Sequence, residues 1–251
     1  MSGSKRRRAD QAVVAAGLAP SRAQAERYIR AGEIWLDDRR VDKPGQALTQ
    51  AQIAQLTLRR RGGGVVGRGA DKLAPVLVQG PDPRGKTCLD VGASTGGFTE
   101  VLLGAGAAAV WAVDVGYGQL HPRLRNDRRV TVLERTNFRY WPPEDVAPPP
   151  FALAVMDVSF ISVRLLLAPL AAALAPGGDA VVLVKPQFEL GKERVPRGGV
   201  VRDPAEIEAA VTQVVDAALA RGFALRARFA AGVAGKRGNR EVFLWLTHAN
   251  A

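Results

Sequence analysis

From Thr87 onward the chain alternates short apolar runs with longer amphipathic stretches. Strands are predicted at Thr87–Val91, Ala109–Val113, Val130–Leu133, Leu153–Met156, Ala180–Val184, Phe223–Phe229 and Val242–Leu246. These runs are apolar almost throughout, as strands buried on both faces must be, so a parallel sheet covered by helices is expected. Ile207, Val211, Val214 and Ala218 fall at i, i+4, i+7 and i+11, one face of a helix. Phe223, Leu225, Ala227 and Phe229 then switch to period two, the spacing of a strand. Only a short glycine-containing stretch joins the last two strands, which predicts an antiparallel pair at the end of the sheet. Pro148-Pro149-Pro150 reads as a rigid connector into the fourth strand.

The N-terminal quarter has a different rhythm. Asp10 to Ala16 has helical character and stops at Gly17. Ser21 is an N-cap candidate for a helix over Arg22–Arg30, which ends at Ala31-Gly32. Ile34-Trp35-Leu36 reads as a strand, Asp37-Asp38 and Pro44-Gly45 as turns, and Ile53, Leu56 and Leu58 as a last strand before Arg59-Arg60-Arg61. Gly62-Gly63-Gly64, Gly67 and Gly69 form a flexible break. Three segments follow: a small α+β domain over residues 1–61, a linker over 62–69, and a Rossmann-like α/β domain over 70–251. The last opens with a short helix over Ala70–Gln79 that carries Lys72.

Charge sharpens the division. The 251 residues hold 35 Lys+Arg against 24 Asp+Glu, a net +11. Residues 1–61 contribute 13 against 6, or +7, and the other 190 contribute 22 against 18, or +4. Such asymmetry is expected of an attached nucleic-acid-binding module. A single cysteine, Cys88, excludes an intramolecular disulfide framework, and two distant histidines leave no zinc-ligand cluster. No apolar run reaches the ~20 residues of a membrane helix, and Met1 to Arg8 lacks the apolar core of a signal peptide. A cytoplasmic protein without metal is expected.

The first core strand ends in Asp90-Val91-Gly92-Ala93-Ser94-Thr95-Gly96-Gly97-Phe98, which opens a helix. Glycines there let the backbone turn tightly and approach a ligand at the helix N-terminus. Asp114 ends the next strand, where a carboxylate can accept both hydroxyls of an adenosine ribose. Together they point to a nucleoside cofactor. The spacing is neither the dinucleotide G-x-G-x-x-G nor a P-loop. Gly92 to Gly96 does match the G-x-S-x-G elbow of esterases, but a hydrolase then needs a downstream acid and histidine, and only His121 and His248 exist.

The chain has 28 Arg and 7 Lys, so a Lys at a strand end stands out, because only Lys can lose its proton in a protein. Lys185 follows the strand Val181-Val182-Leu183-Val184, Asp157 ends the neighbouring Val155-Met156, and Glu241 begins the final strand. Carboxyl ends of parallel strands are where such sheets build their sites.

These segments, with Asp114-Val115-Gly116-Tyr117-Gly118-Gln119-Leu120, Val158-Ser159-Phe160-Ile161-Ser162 and Val184-Lys185-Pro186-Gln187-Phe188-Glu189, resemble the TlyA family over nearly the whole chain. Ser21-Arg22-Ala23-Gln24-Ala25, Ile29 and Gly32 likewise resemble its RNA-binding module of the ribosomal-protein S-four type. The resemblance implies an FtsJ-like methyltransferase that uses S-adenosylmethionine to methylate cytidine ribose 2′-hydroxyls in ribosomal RNA, within ribosomal subunits. Its K-D-K-E tetrad carries over onto Lys72, Asp157, Lys185 and Glu241. Cofactor contacts are expected from Asp90, Gly92, Ser94, Gly96, Gly97, Phe98, Asp114 and Asn137, and RNA contacts from Arg6, Arg7, Arg22 and Arg68.

Three other readings are weaker. A non-catalytic RNA- or ribosome-binding protein on the same fold should have lost tetrad residues, and all four are present. Membrane lysis, suggested by the haemolysin name given to some relatives, needs an amphipathic or spanning element that the chain lacks. Pseudouridine synthases share the N-terminal module, but their H-R-L-D-type segment is absent, the nearest stretch being His121-Pro122-Arg123-Leu124.

Overall fold

The computed structural model describes residues 6–30, 32–37, 39–58, 68–232 and 238–249. They fall in two compact units divided between residues 67 and 68. The glycine-rich break at 62–67 and Arg59-Arg60-Arg61 lie outside the described residues.

The first unit runs β1 (Arg7–Arg8), α1 (Ala9–Ala15), α2 (Arg22–Arg30), β2 (Ile34–Leu36), β3 (Arg39–Arg40), β4 (Ala47–Leu48), α3 (Gln50–Ala54) and β5 (Leu56–Leu58). β2 is the middle strand of an antiparallel β3-β2-β5 sheet, and β1 pairs with β4. Ala12, Val13, Ala25, Ile29, Ile34, Leu48 and Ile53 meet in its core. Ser21 caps α2 as expected, its Oγ accepting the Gln24 N–H at 3.2 Å. Ile53 does not begin a strand. Thr49 and Gln52 form a reciprocal capping box, with Thr49 Oγ1 accepting the Gln52 N–H and Gln52 Oε1 accepting the Thr49 N–H, and this nucleates α3 through Ile53.

Asp10 is the buried polar centre of this unit. Fully out of solvent, it holds Arg8 and Arg22 with its carboxylate and accepts the Gln11 N–H at 2.8 Å. Burial pushes its carboxyl up, but the hydrogen bonds from Arg8 and Arg22 outweigh that and leave it below the ordinary carboxylate range. A depressed carboxyl adds stability above its unfolded value that is lost as pH falls through its folded one.

The second unit runs α4 (Arg68–Gln79), β6 (Thr87–Val91), α5 (Gly97–Gly104), β7 (Ala109–Val113), α6 (Pro122–Arg125), β8 (Val130–Leu133), β9 (Phe151–Met156), α7 (Leu167–Ala173), β10 (Leu174–Val184), α8 (Pro186–Glu189), α9 (Pro204–Leu219), β11 (Phe223–Ala230) and β12 (Val242–His248). Its seven strands lie in the order β11-β12-β10-β9-β6-β7-β8. β8, β7, β6, β9 and β10 are parallel, while β12 runs antiparallel to both β10 and β11. This is the α/β sheet expected, with its antiparallel end.

Four strand limits differ from the sequence pattern, with β9 beginning at Phe151 instead of Leu153 and β11 ending at Ala230 instead of Phe229. β10 starts at Leu174 because the chain pairs with β9 on both sides of Pro176-Gly177-Gly178, with a register shift between Leu174 and Asp179. β12 runs on to His248, where Asp179 accepts hydrogen bonds from Trp245 Nε1 and Thr247 Oγ1, both at 2.9 Å. It begins at Val242, so Glu241 precedes it rather than opening it. Along α9, Ile207, Val211, Val214 and Ala218 form the buried face anticipated, joined by Ala210 and Val215. Among the described residues no helix is long and apolar enough to cross a membrane.

Asp10→Asn should destabilise the first unit by about 1–3 kcal/mol, the cost of leaving groups around a buried charge unsatisfied. Native-state hydrogen exchange of the Val13 and Val14 amides should read this as lost protection at pH 7. The difference from the unchanged protein should shrink as pH falls below about 4. Equal protection at pH 7 would refute the role given to Asp10.

Candidate active site

The sheet register brings the singled-out residues to one edge. The last pair of β6 against β9 is Val91 opposite Met156, and the Asp157 N–H continues the ladder onto Val91 O at 3.0 Å. Asp157 therefore leaves its strand directly beside Gly92. A Cβ on Gly92 would come 2.5 Å from the Asp157 carbonyl oxygen, and its φ is +85°, so only glycine fits. On the other side of β9, β10 ends with Val184 opposite Val242, so Lys185 leaves β10 where Glu241 enters β12. The fourth member arrives from α4. That helix crosses the start of α5 so closely that a Cβ on Gly97 would sit 3.0 Å from Ala70 N.

Two ion pairs result. Lys72 Nζ donates to Glu241 Oε2 at 2.6 Å, across 169 residues of sequence. Lys185 Nζ lies 2.5 Å from Asp157 Oδ1 and donates to Ser159 Oγ at 2.9 Å. Lys72, Lys185 and Glu241 are all buried, and Asp157 is partly so. Burial at this level requires each ammonium to have a counter-charge.

The glycine-rich turn is tied to the next strand end by Asp114. One carboxylate oxygen accepts the Ser94 N–H at 2.8 Å and the other the Gly116 N–H at 2.7 Å. Each oxygen keeps a further lone pair for a ligand hydroxyl. Ser94 itself is exposed with φ +49°, and its Oγ faces Gln119 Oε1, an amide rather than a base. That geometry does not favour the esterase elbow.

Asp90 lies beneath the turn, fully buried. Thr99 Oγ1 donates to its Oδ2 at 2.6 Å, while its Oδ1 has no hydrogen-bond partner. Burial pushes its carboxyl up to about 7, against the Thr99 bond, and the nearby charges of Asp157 and Asp114 push the same way. Three carboxylates around one turn, two of them (Asp90 and Asp157) with a buried oxygen that accepts no hydrogen bond, make a place that suits a cationic ligand.

Two of the expected cofactor residues have partners within the chain. Phe98 is buried in the core, its ring 6.0 Å from that of Phe243 and close under Gly69. Asn137 is exposed and caps a 3₁₀ turn by accepting the Arg139 N–H, although Thr136 beside it donates to Asp114 O. In the first unit Arg6 and Arg7 are exposed, while Arg22 is half-exposed and paired with Asp10. The side chain of Arg68 lies outside the described residues.

Sequence reasoning missed Thr99, Ser159 and Glu189. Ser159 and Glu189 lie inside recognised motifs, but only the fold shows what each touches.

An FtsJ-like methyltransferase model matches residues 65–248, and an S4 domain model matches residues 7–52. The 16S/23S rRNA (cytidine-2′-O)-methyltransferase TlyA of Mycobacterium tuberculosis is 45% identical over 96% of this chain and 90% of its own. The chain belongs to the TlyA family. Hemolysin A of Brachyspira hyodysenteriae is 33% identical over 96% of this chain and 98% of its own. A solved structure from Streptococcus thermophilus that carries a hemolysin name superposes with TM-score 0.74 at 37% identity, covering 99% of this chain and 90% of that one. This chain thus carries an S4 domain and an FtsJ-like domain in tandem.

Asp90→Asn keeps an acceptor for Thr99 but removes the titration. A carboxyl raised in the folded state contributes stability below its unfolded value, and loses it as pH rises through about 7. Relative to the unchanged protein, the Asn variant should therefore gain a few kcal/mol of unfolding free energy between pH 5 and pH 8. Urea titrations at the two pH values would measure it, and a difference that stays constant would show that Asp90 is not held protonated.

Proposed function

We propose that this chain transfers a methyl group from S-adenosylmethionine to the ribose 2′-hydroxyl of cytidines in ribosomal RNA. The observation that carries the reading is the convergence of two buried lysine–carboxylate pairs on the sheet edge beside the Gly92 turn. TlyA-family membership and the relatives' printed activity support it. The S4 domain and the +7 of residues 1–61 support RNA as the substrate. Ribosomal subunits in the cytoplasm are then the setting.

The residues present fit the cofactor. Asp114 would take the ribose hydroxyls, and the unpartnered Asp90 Oδ1 would take the ammonium group. Ser94 and the backbone of Gly96 and Gly97 complete the turn. When bound, S-adenosylmethionine supplies an electrophilic methyl group on a sulfonium.

A ribose hydroxyl is a weak nucleophile, so the protein must orient it and manage its proton. Lys185 would do that work. Asp157 holds it from one side, and its nitrogen sits at the buried end of β10. Lys72, held by Glu241, adds positive charge on the side of α4 and is a positioned cation. Phe160, 92% exposed beside this pair, offers an aromatic face on which an unstacked base can lie.

The direct test is to incubate the protein with labelled S-adenosylmethionine and ribosomal RNA or subunits, then map 2′-O-methyl marks. Marks on cytidines are expected, and their absence on every substrate would overturn the reading. Lys185→Arg keeps the charge but loses any accessible neutral form, so single-turnover methylation should fall by about 10²–10⁴-fold. Near-normal rates would leave Lys185 as a positioning charge only. Asp114→Ala should weaken cofactor binding at least about tenfold, since a hydrogen bond to a charged acceptor is worth about 1.5–3 kcal/mol. Calorimetry with unchanged affinity would remove Asp114 from the cofactor site.

A further inference from the structure

We infer that Ser159 is a positioning residue for Lys185, fixing the directions in which the lysine nitrogen can meet the substrate hydroxyl. The inference rests on the methyltransferase reading above. A lysine nitrogen has three positions besides its bond to Cε. Ser159 Oγ at 2.9 Å takes one through a hydrogen bond, while Asp157 Oδ1, 2.5 Å away, holds the nitrogen by charge without hydrogen-bond geometry. The Ser159 bond therefore sets the rotation of the ammonium, and an incoming hydroxyl meets one of the positions it leaves. With Asp157 alone the nitrogen could swing about a single contact. With two anchors from the same loop, both its place and its rotation are set.

The backbone around Ser159 is built to keep the hydroxyl there. Phe160, the next residue, has φ +68°, a region that a bulky aromatic occupies only where its surroundings over-determine it. Burial of its ring cannot be the reason, because that ring is 92% exposed. Contacts from the segment after Lys185 hold the turn. The Phe160 and Phe188 rings lie 5.4 Å apart. Glu189, 2% exposed, accepts Ser162 Oγ at 2.5 Å and the Val163 N–H at 2.8 Å, and it pairs with Arg164. The chain segments that follow β9 and β10 are therefore clamped at three levels: Lys185 with Asp157 and Ser159, Phe160 with Phe188, and Glu189 with residues 162–164. The strained turn at Phe160 directs the Ser159 hydroxyl inward onto the ammonium and the aromatic ring outward.

The experiment compares Ser159→Ala and Ser159→Thr in steady-state methylation of ribosomal RNA, with unaltered protein as reference. Ser159 is exposed, which leaves room for the extra methyl of Thr. Loss of one hydrogen bond to a charged group at an exposed position should lower kcat about tenfold in the Ala variant. KM for RNA should change less than about twofold, because the hydroxyl acts on the lysine and not on RNA binding. Thr should restore most of kcat, as it restores the acceptor. Unchanged S-adenosylmethionine affinity and thermal midpoint would show that the Ala variant is folded. An Ala variant with kcat within twofold of normal would overturn the inference, as would equal loss in both variants or a loss confined to KM. Failure of the unaltered protein to methylate any RNA would instead strike the methyltransferase reading, so the two failures are distinguishable.

Discussion

A lysine ammonium can be carried nearly out of water only beside a carboxylate, and this protein does so twice at one sheet edge. Desolvating each ion costs several kcal/mol, and the Coulomb attraction of a close partner offsets that only with good geometry. Lys72 reaches Glu241 from a helix at the start of the second unit, across nearly its whole length. Lys185 reaches Asp157 across the β9–β10 neighbourhood. The first pair therefore needs the last strand folded back onto the sheet before it can form, and the second needs β9 and β10 paired. The antiparallel return of β12 delivers Glu241 to the edge where the parallel strands end, and a purely parallel sheet would have placed the start of that strand at the far side.

The glycine turn depends on the same edge. Val91 O receives the Asp157 N–H, and the missing Cβ of Gly92 lets the two loops touch. Gly97 is small because α4 crosses it. Both glycines are thus required by packing within the chain itself. Any contact they make with a cofactor is an added use of a backbone already forced to be bare. The Gly92 turn and the segment that carries Asp157 are consequently in direct contact, and in the proposed reaction that contact would hold the two bound groups in line.

Much of this was legible in the sequence because the second unit is locally consistent. Strands β6, β7 and β8 start and stop where their apolar runs do, and α9 buries the face that its i, i+4 spacing marks. Lys72, Asp157, Lys185 and Glu241 stood out through strand ends and resemblance, and the fold pairs them. What remained hidden depends on contacts with no local pattern. Phe98 lies in a glycine-rich motif but spends its ring on Phe243, a partner 145 residues further on. Pro176-Gly177-Gly178 reads as a turn, yet β10 continues through it with a register shift. Ile53 has strand-like neighbours, and only the Thr49–Gln52 box, a helix signal, decides its state.

Charge around the turn completes the physical picture. Asp90, Asp114 and Asp157 crowd a small volume, and Lys185 answers only one of them directly. The repulsion falls on Asp90, the most deeply buried, whose carboxyl is pushed up to about 7 and has one oxygen without a hydrogen-bond partner. A cation arriving there would favour the charged carboxylate and draw its proton out, so binding and proton release are linked. An anionic ligand would be repelled by the same arrangement. The turn thus leaves Asp90 without a counter-charge, while the neighbouring Lys185 has both Asp157 and Ser159. In the proposed reaction that division would give binding to the Asp90–Asp114 side and the handling of the hydroxyl to the Lys185 side, within a single sheet edge.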